Sequence, residues 1–103
     1  MGGESTAMMP VLDRPLRHVM FRIDGRRIPG ARSVALVGSF NRWDSAAELL
    51  RRDPDGWWTT TVLLAPGEYE YLFLVDGMPW NDPLDNGRIA NAWGGHYSVR
   101  VVV

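Results

Sequence analysis

One tryptophan of this chain, Trp43, stands where a turn ordinarily carries Gly, Asn or Asp, and two more, Trp80 and Trp93, lie beside turn signals. Trp43 ends the run Leu36-Val37-Gly38-Ser39-Phe40-Asn41-Arg42-Trp43-Asp44, in which an apolar stretch passes straight into a turn. Trp80 follows Asp76-Gly77, and Trp93 precedes Gly94-Gly95. An indole at a turn costs solubility unless it packs against something or binds something. Several flat apolar rings on loops suit a ligand with broad, weakly polar faces and hydroxyl edges, which is the shape of a sugar. Covering a pyranose face with an indole is worth roughly 25 cal/mol per Å² of apolar surface. The C–H groups over the ring add a small contribution. The hydroxyl rim must meet donors and acceptors, or its desolvation offsets that gain. Asn41, Asn81, Asn91, Tyr97 and the guanidinium of Arg88 are candidates for that role.

Other chemistries find little support. His18 and His96 lie on or near strand ends, with no cysteine and no nucleophile-elbow motif to make a triad. Asp53 with Asp55, and Asp82 with Asp85, fall in turn signals, where Asp serves the backbone. Glycoside hydrolysis needs two carboxyls across a cleft, and a small all-β domain rarely offers one. No metal site, no cofactor and no glycine-rich phosphate loop is expected. The formal charge of −1 argues against nucleic acid and acidic lipid as partners, although all 11 basic residues are arginine. No apolar run approaches the ~20 residues of a membrane span. The first ten residues lack the basic start and apolar middle of a signal peptide. A cytoplasmic location is the reading these features give.

The elements that must position the rings follow a period of two. Val19, Phe21 and Ile23 alternate with His18, Met20 and Arg22. Gly25 and Pro29-Gly30 break that strand, and Val34, Leu36 and Gly38 begin the next. Asp53-Pro54-Asp55-Gly56 is a turn signal leading into a strand from Trp57 to Leu64. There Trp58, Thr60, Val62 and Leu64 share the core face, and Trp57 faces outward. After Pro66-Gly67, Tyr69, Tyr71, Phe73 and Val75 alternate with Glu70, Leu72, Leu74 and Asp76. Asn81-Asp82-Pro83 and Asn86-Gly87 mark a long connection, and Tyr97 to Val103 is a last strand. Residues 44–50 read as a loop that sends Leu50 inward, too short to hold a helix alone. Several short strands between Gly and Pro turns predict an all-β, antiparallel sandwich. At 103 residues there is one core: a flexible tail over 1–13 and a domain over 14–103. The chain could itself be part of a longer protein.

In order along the chain stand Val37-Gly38-Ser39-Phe40-Asn41-Arg42-Trp43-Asp44 and Asp55-Gly56-Trp57-Trp58. Pro66-Gly67-Glu68-Tyr69-Glu70-Tyr71-Leu72-Phe73-Leu74-Val75-Asp76-Gly77 follows, then Asn81-Asp82-Pro83 and Gly94-Gly95. This ordered set, spanning about Arg17 to Val103, resembles the family 48 carbohydrate-binding modules. These are also known as isoamylase N-terminal or glycogen-binding domains, and include that of the AMP-activated protein kinase beta subunit. The resemblance implies an immunoglobulin-like, early-set sandwich with no catalytic role, binding α-glucan such as glycogen or maltooligosaccharide. It implies that Trp43 and Trp80 are stacking platforms, with Met78-Pro79 making the loop before Trp80 one residue longer. Trp93 stands where the family has a leucine and would supply an apolar side wall. Leu72 replaces a lysine that contacts sugar hydroxyls, and Gly95 and Tyr97 replace a threonine and an asparagine.

A second reading stays open beside the first. Leu72 and Leu74 on one sheet face would dock another protein, and the module would have kept the sandwich and lost the sugar. A catalytic or kinase domain, in the same or another chain, is the partner that either reading suggests.

Overall fold

Apolar alternation becomes strand along most of its length. The computed structural model describes residues 15–103, and the tail expected over 1–13 lies outside them. Strand β1, Arg17–Asp24, buries Val19, Phe21 and Ile23 and exposes His18, Met20 and Arg22. Strand β2, Val34–Gly38, is buried along its whole length. A short β3, Arg51–Arg52, precedes β4, Trp57–Leu64. Strand β5, Gly67–Val75, buries Tyr71, Phe73 and Val75 and leaves Leu72 and Leu74 half-buried on its other face. Then come β6, Met78–Trp80, β7, Gly87–Ala90, and β8, His96–Val102. Residues 44–50 form turns rather than a helix, and Leu50 enters the core as expected.

The strands pair antiparallel in two sheets. One has the order β1-β4-β3, the other β2-β5-β8-β7. Strand β6 follows β8 along the same side of β5: β8 pairs with residues 67–71 and β6 with 73–75. Between the sheets lies a core of Phe21, Ile23, Leu36, Trp58, Tyr71 and Phe73. Tyr71 meets Phe21 and Phe73 edge-on, with centroids 4.9 and 6.1 Å away. Truncating such a ring to alanine costs about 3–5 kcal/mol. The molecule is an all-β, immunoglobulin-like sandwich. Trp58 is in the core, while Trp57 is half-buried, with the Arg22 guanidinium 4.7 Å over its ring.

The long connection expected between Asn81 and the last strand is in part a strand. Residues Gly87–Ala90 pair with β8 although every one of them is exposed. Their sequence therefore shows no alternation to read. Ahead of them Asp82 is buried. The Tyr71 hydroxyl donates to Asp82 Oδ2 at 2.6 Å, and Arg100 Nη2 lies 3.8 Å from the same oxygen. The Leu84 N–H donates to Oδ1, and the Asp82 N–H donates to Ser98 Oγ. Asp82 does serve its own turn, as its sequence context suggests, and it also satisfies a core tyrosine. Burial and the bond to Asp82 push the Tyr71 hydroxyl far above its ordinary range.

Candidate functional site

A chain of constraints carries Trp43 outward. Phe40 folds back onto the core, 5.7 Å from Phe21 and 6.1 Å from Tyr69. Gly38 allows this: a Cβ there would lie 2.5 Å from the Phe40 ring and 2.8 Å from the Glu70 carbonyl. Asn41 then staples the turn. Its Oδ1 accepts from the Gly38 N–H at 3.0 Å, and its Nδ2 donates to the Leu36 carbonyl at 2.9 Å. The Trp43 N–H returns to the Gly38 carbonyl at 3.1 Å. Arg42 and Trp43 both take left-handed conformations, φ 58° and 59°. Strain of about 1 kcal/mol each is held there by the surrounding bonds. Trp43 is 37% exposed, and its ring lies 4.7 Å from that of Tyr97, tilted by 38°.

Trp93 reaches the same aromatic strip from the other side. Asn91 accepts the N–H groups of Trp93 and Gly95 on its Oδ1, at 2.9 and 3.0 Å, and closes the turn with a backbone bond to Gly95. This lifts Trp93 out to 81% exposure, 6.5 Å and edge-on from Tyr97. Tyr97 follows the opposite parity to buried Ser98, so it faces outward between the two indoles. Trp43, Tyr97 and Trp93 thus line up on the outer face of the larger sheet.

Beside Trp93 is an open hollow. Leu72 and Pro79 supply its apolar surface, and Asn81, Asn91 and His96 its polar edge. Asn81 donates from Nδ2 to the His96 carbonyl at 2.8 Å and to Ser98 Oγ at 3.2 Å. Its amide oxygen accepts no hydrogen bond among the described residues. Asn91 has the reverse arrangement: its oxygen is committed to the turn and its NH₂ has no protein acceptor among the described residues. One free acceptor and one free donor beside an indole match a hydroxyl pair on a sugar rim. Leu72, considered for a protein interface, is a wall of this hollow, and Leu74 shares its face one pair along the strand.

Three candidates are placed elsewhere. Asn41 is committed at both ends of its amide to the Gly38 turn. Arg88 pairs opposite Ser98, on the core side of β7, and its guanidinium binds Asp85 at 2.9 Å. Trp80 is the largest change. Asp76 and Gly77, with φ 49° and 83°, form a two-residue turn between the paired Val75 and Met78. Pro79 then pairs with Leu74 on the outer face, and Trp80 with Phe73 on the inner one. A shift of one residue along a strand reverses the face. Trp80 is not brought to Trp43, Tyr97 or Trp93. It lines a separate hollow with Ile28, Pro29 and Val75. Among the described residues no three His, Cys, Asp or Glu side chains gather as metal ligands would. No helix among them is long and apolar enough to cross a membrane.

A family model described as the glycogen recognition site of AMP-activated protein kinase matches residues 12–98. The chain belongs to this family of carbohydrate-binding modules. Within it the chain is 43% identical over 54 residues to the protein FLOURY ENDOSPERM 6, chloroplastic, of Oryza sativa subsp. japonica, covering 52% of this chain and 10% of that protein. It is 39% identical over 54 residues to PTST homolog 2, chloroplastic, of Arabidopsis thaliana, covering 52% and 10%. It is 46% identical over 59 residues to a 1,4-alpha-glucan branching enzyme of Pseudomonas syringae, covering 50% and 8%. The chain spans a tenth or less of the length of each of these relatives. Two of them carry "chloroplastic" in their names, which lends nothing to the cytoplasmic location expected from the sequence.

Proposed function

We propose that this chain is a non-catalytic module that binds α-glucan, glycogen or maltooligosaccharide, on the outer face of its larger sheet. The aromatic strip Trp43–Tyr97–Trp93 carries this reading. Glucose faces stack on Trp43 and Trp93, which lie on either side of Tyr97. Rings inclined to one another, by 38° between Trp43 and Tyr97 and 81° between Tyr97 and Trp93, favour a helical α-glucan over a flat β-glucan. The Asn81 oxygen and Asn91 NH₂ meet hydroxyls beside Trp93, and the Tyr97 hydroxyl meets another. Leu72, in place of a donor, makes the contact there apolar. Glucan chain ends are many on one particle, so weak single contacts suffice to localise the module and any domain attached to it. That attached domain is the catalytic or kinase partner the sequence suggests, and the much longer relatives favour such an arrangement.

Electrophoresis through a gel containing glycogen tests the reading. Wild-type protein should be retarded relative to a glycogen-free gel, and Trp43→Ala should be retarded clearly less. Equal migration of wild type and variant in glycogen, amylose and β-cyclodextrin gels would refute it. The docking of a protein on Leu72 and Leu74 would then stand, and Leu72→Arg should abolish any self-association seen by light scattering.

A further inference from the structure

We propose that Trp80 forms a second glucan contact on the opposite face of β6, so that one copy of the module holds two glucan chains. The proposal rests on the α-glucan reading above and adds a surface to it.

Parity along β6 carries the argument. Pro79 points into the hollow beside Trp93, and Trp80, one residue on, points to the other side of the strand. The strand itself stands between them, so a sugar on Trp93 cannot also cover Trp80. Nor is Trp80 committed to the core. It keeps 41% of its surface exposed, whereas Trp58, which also faces inward, is almost wholly covered. The remaining surface opens on a hollow whose apolar side is Ile28, Pro29 and Val75.

The same hollow carries two polar groups suited to hydroxyls. Arg27 is exposed and makes no hydrogen bond or ion pair among the described residues. Asp76 is anchored by the N–H groups of Arg32 and Ser33, each 2.9 Å from its Oδ1. Those bonds hold its carboxyl below the ordinary carboxylate range, so it stays an anion at neutral pH. A fixed carboxylate and a guanidinium beside an indole give acceptor, donor and platform for one pyranose. A monomer with two such faces is a cross-linker: it bridges neighbouring branches of one particle, or two particles.

Native mass spectrometry with maltoheptaose, together with the turbidity of glycogen suspensions, tests this. Wild type should take up two maltoheptaose molecules and raise turbidity. Trp80→Ala should bind one, keep its retardation in a glycogen gel and raise no turbidity. Arg27→Ala, a surface change with no bearing on folding, should weaken the second event about tenfold. Trp43→Ala should lose the first event and keep the one that Trp80→Ala removes. A stoichiometry of one, lost in Trp43→Ala and unchanged in Trp80→Ala, overturns the second contact and leaves the main reading standing. Loss of all binding in both Trp80→Ala and Trp43→Ala, each still melting as wild type, also overturns it, because Trp80 would then belong to the first site. Binding that survives in Trp43→Ala and Trp93→Ala but not in Trp80→Ala overturns the main reading instead.

Discussion

Replacing Trp93 with alanine separates binding from folding better than other changes on this face. The side chain is 81% exposed, touches Tyr97 only edge-on at 6.5 Å, and stands on a turn held by backbone and Asn91 bonds. Its removal should change unfolding free energy by less than about 0.5 kcal/mol. Binding should respond strongly. A tryptophan presents up to about 250 Å², so roughly 100 Å² of one open ring face is available to a sugar. At about 25 cal/mol per Å² that is ~2.5 kcal/mol. Fixing a freely moving indole costs ~0.5–1.5 kcal/mol of it. About 1.5 kcal/mol remains, which is roughly a tenfold weakening in Kd. Isothermal titration with maltoheptaose, paired with a thermal melt, measures both quantities. A variant that melts with the wild type and binds with unchanged affinity would refute the stacking argument for this residue.

Three more outcomes follow from the packing. Asp82→Ala should cost about 3 kcal/mol in urea unfolding, because the Tyr71 hydroxyl, the Leu84 N–H and Arg100 all lose their acceptor; a loss under 1 kcal/mol would mean water replaces the carboxylate at no cost. Gly38→Ala should destabilise by about 2 kcal/mol through overlap with Phe40 and the Glu70 carbonyl, and should impair glycogen retardation by moving Trp43; unaltered melting would show that the turn has room to spare. The Tyr71 hydroxyl is harder to ionise folded than unfolded, so its contribution is intact below pH ~10 and is lost as pH rises above that, where the unfolded chain releases the proton first. Tyr71→Phe should therefore flatten the alkaline fall in stability while lowering stability at pH 7, and a wild-type-like alkaline limb in that variant would contradict this.

Strands with one buried face were legible because alternation records burial. The pattern in Val19-Met20-Phe21-Arg22-Ile23 is a direct trace of core and solvent. The three short strands left no such trace. Residues of β7 are all exposed, and β3 offers two arginines outside the core. Strand β6 is Met-Pro-Trp, with an internal proline that argues against a strand and is tolerated by its position beside one neighbour only. The placement of Trp80 turned on one residue of parity. The Asp76-Gly77 signal contains the answer: a two-residue hairpin puts Pro79, not Trp80, beside Leu74. Asparagines divide for a different reason. Asn41 and Asn91 have the same turn chemistry in sequence, and both staple a turn. Only Asn91 keeps an amide end open toward the hollow. That difference lies in which backbone carbonyl comes within reach, which depends on the folded path. The burial of Asp82 had one sequence clue, a tyrosine at a core position of β5 whose hydroxyl needs a partner.

The five indole N–H resonances of the nitrogen-15-labelled chain, followed during a maltoheptaose titration, test the central claim most directly. Trp43 and Trp93 should shift together with one saturation curve, while Trp58 in the core and Trp57 under Arg22 stay in place. Silent Trp43 and Trp93 signals at a glucan concentration that retards the protein in a glycogen gel would contradict it.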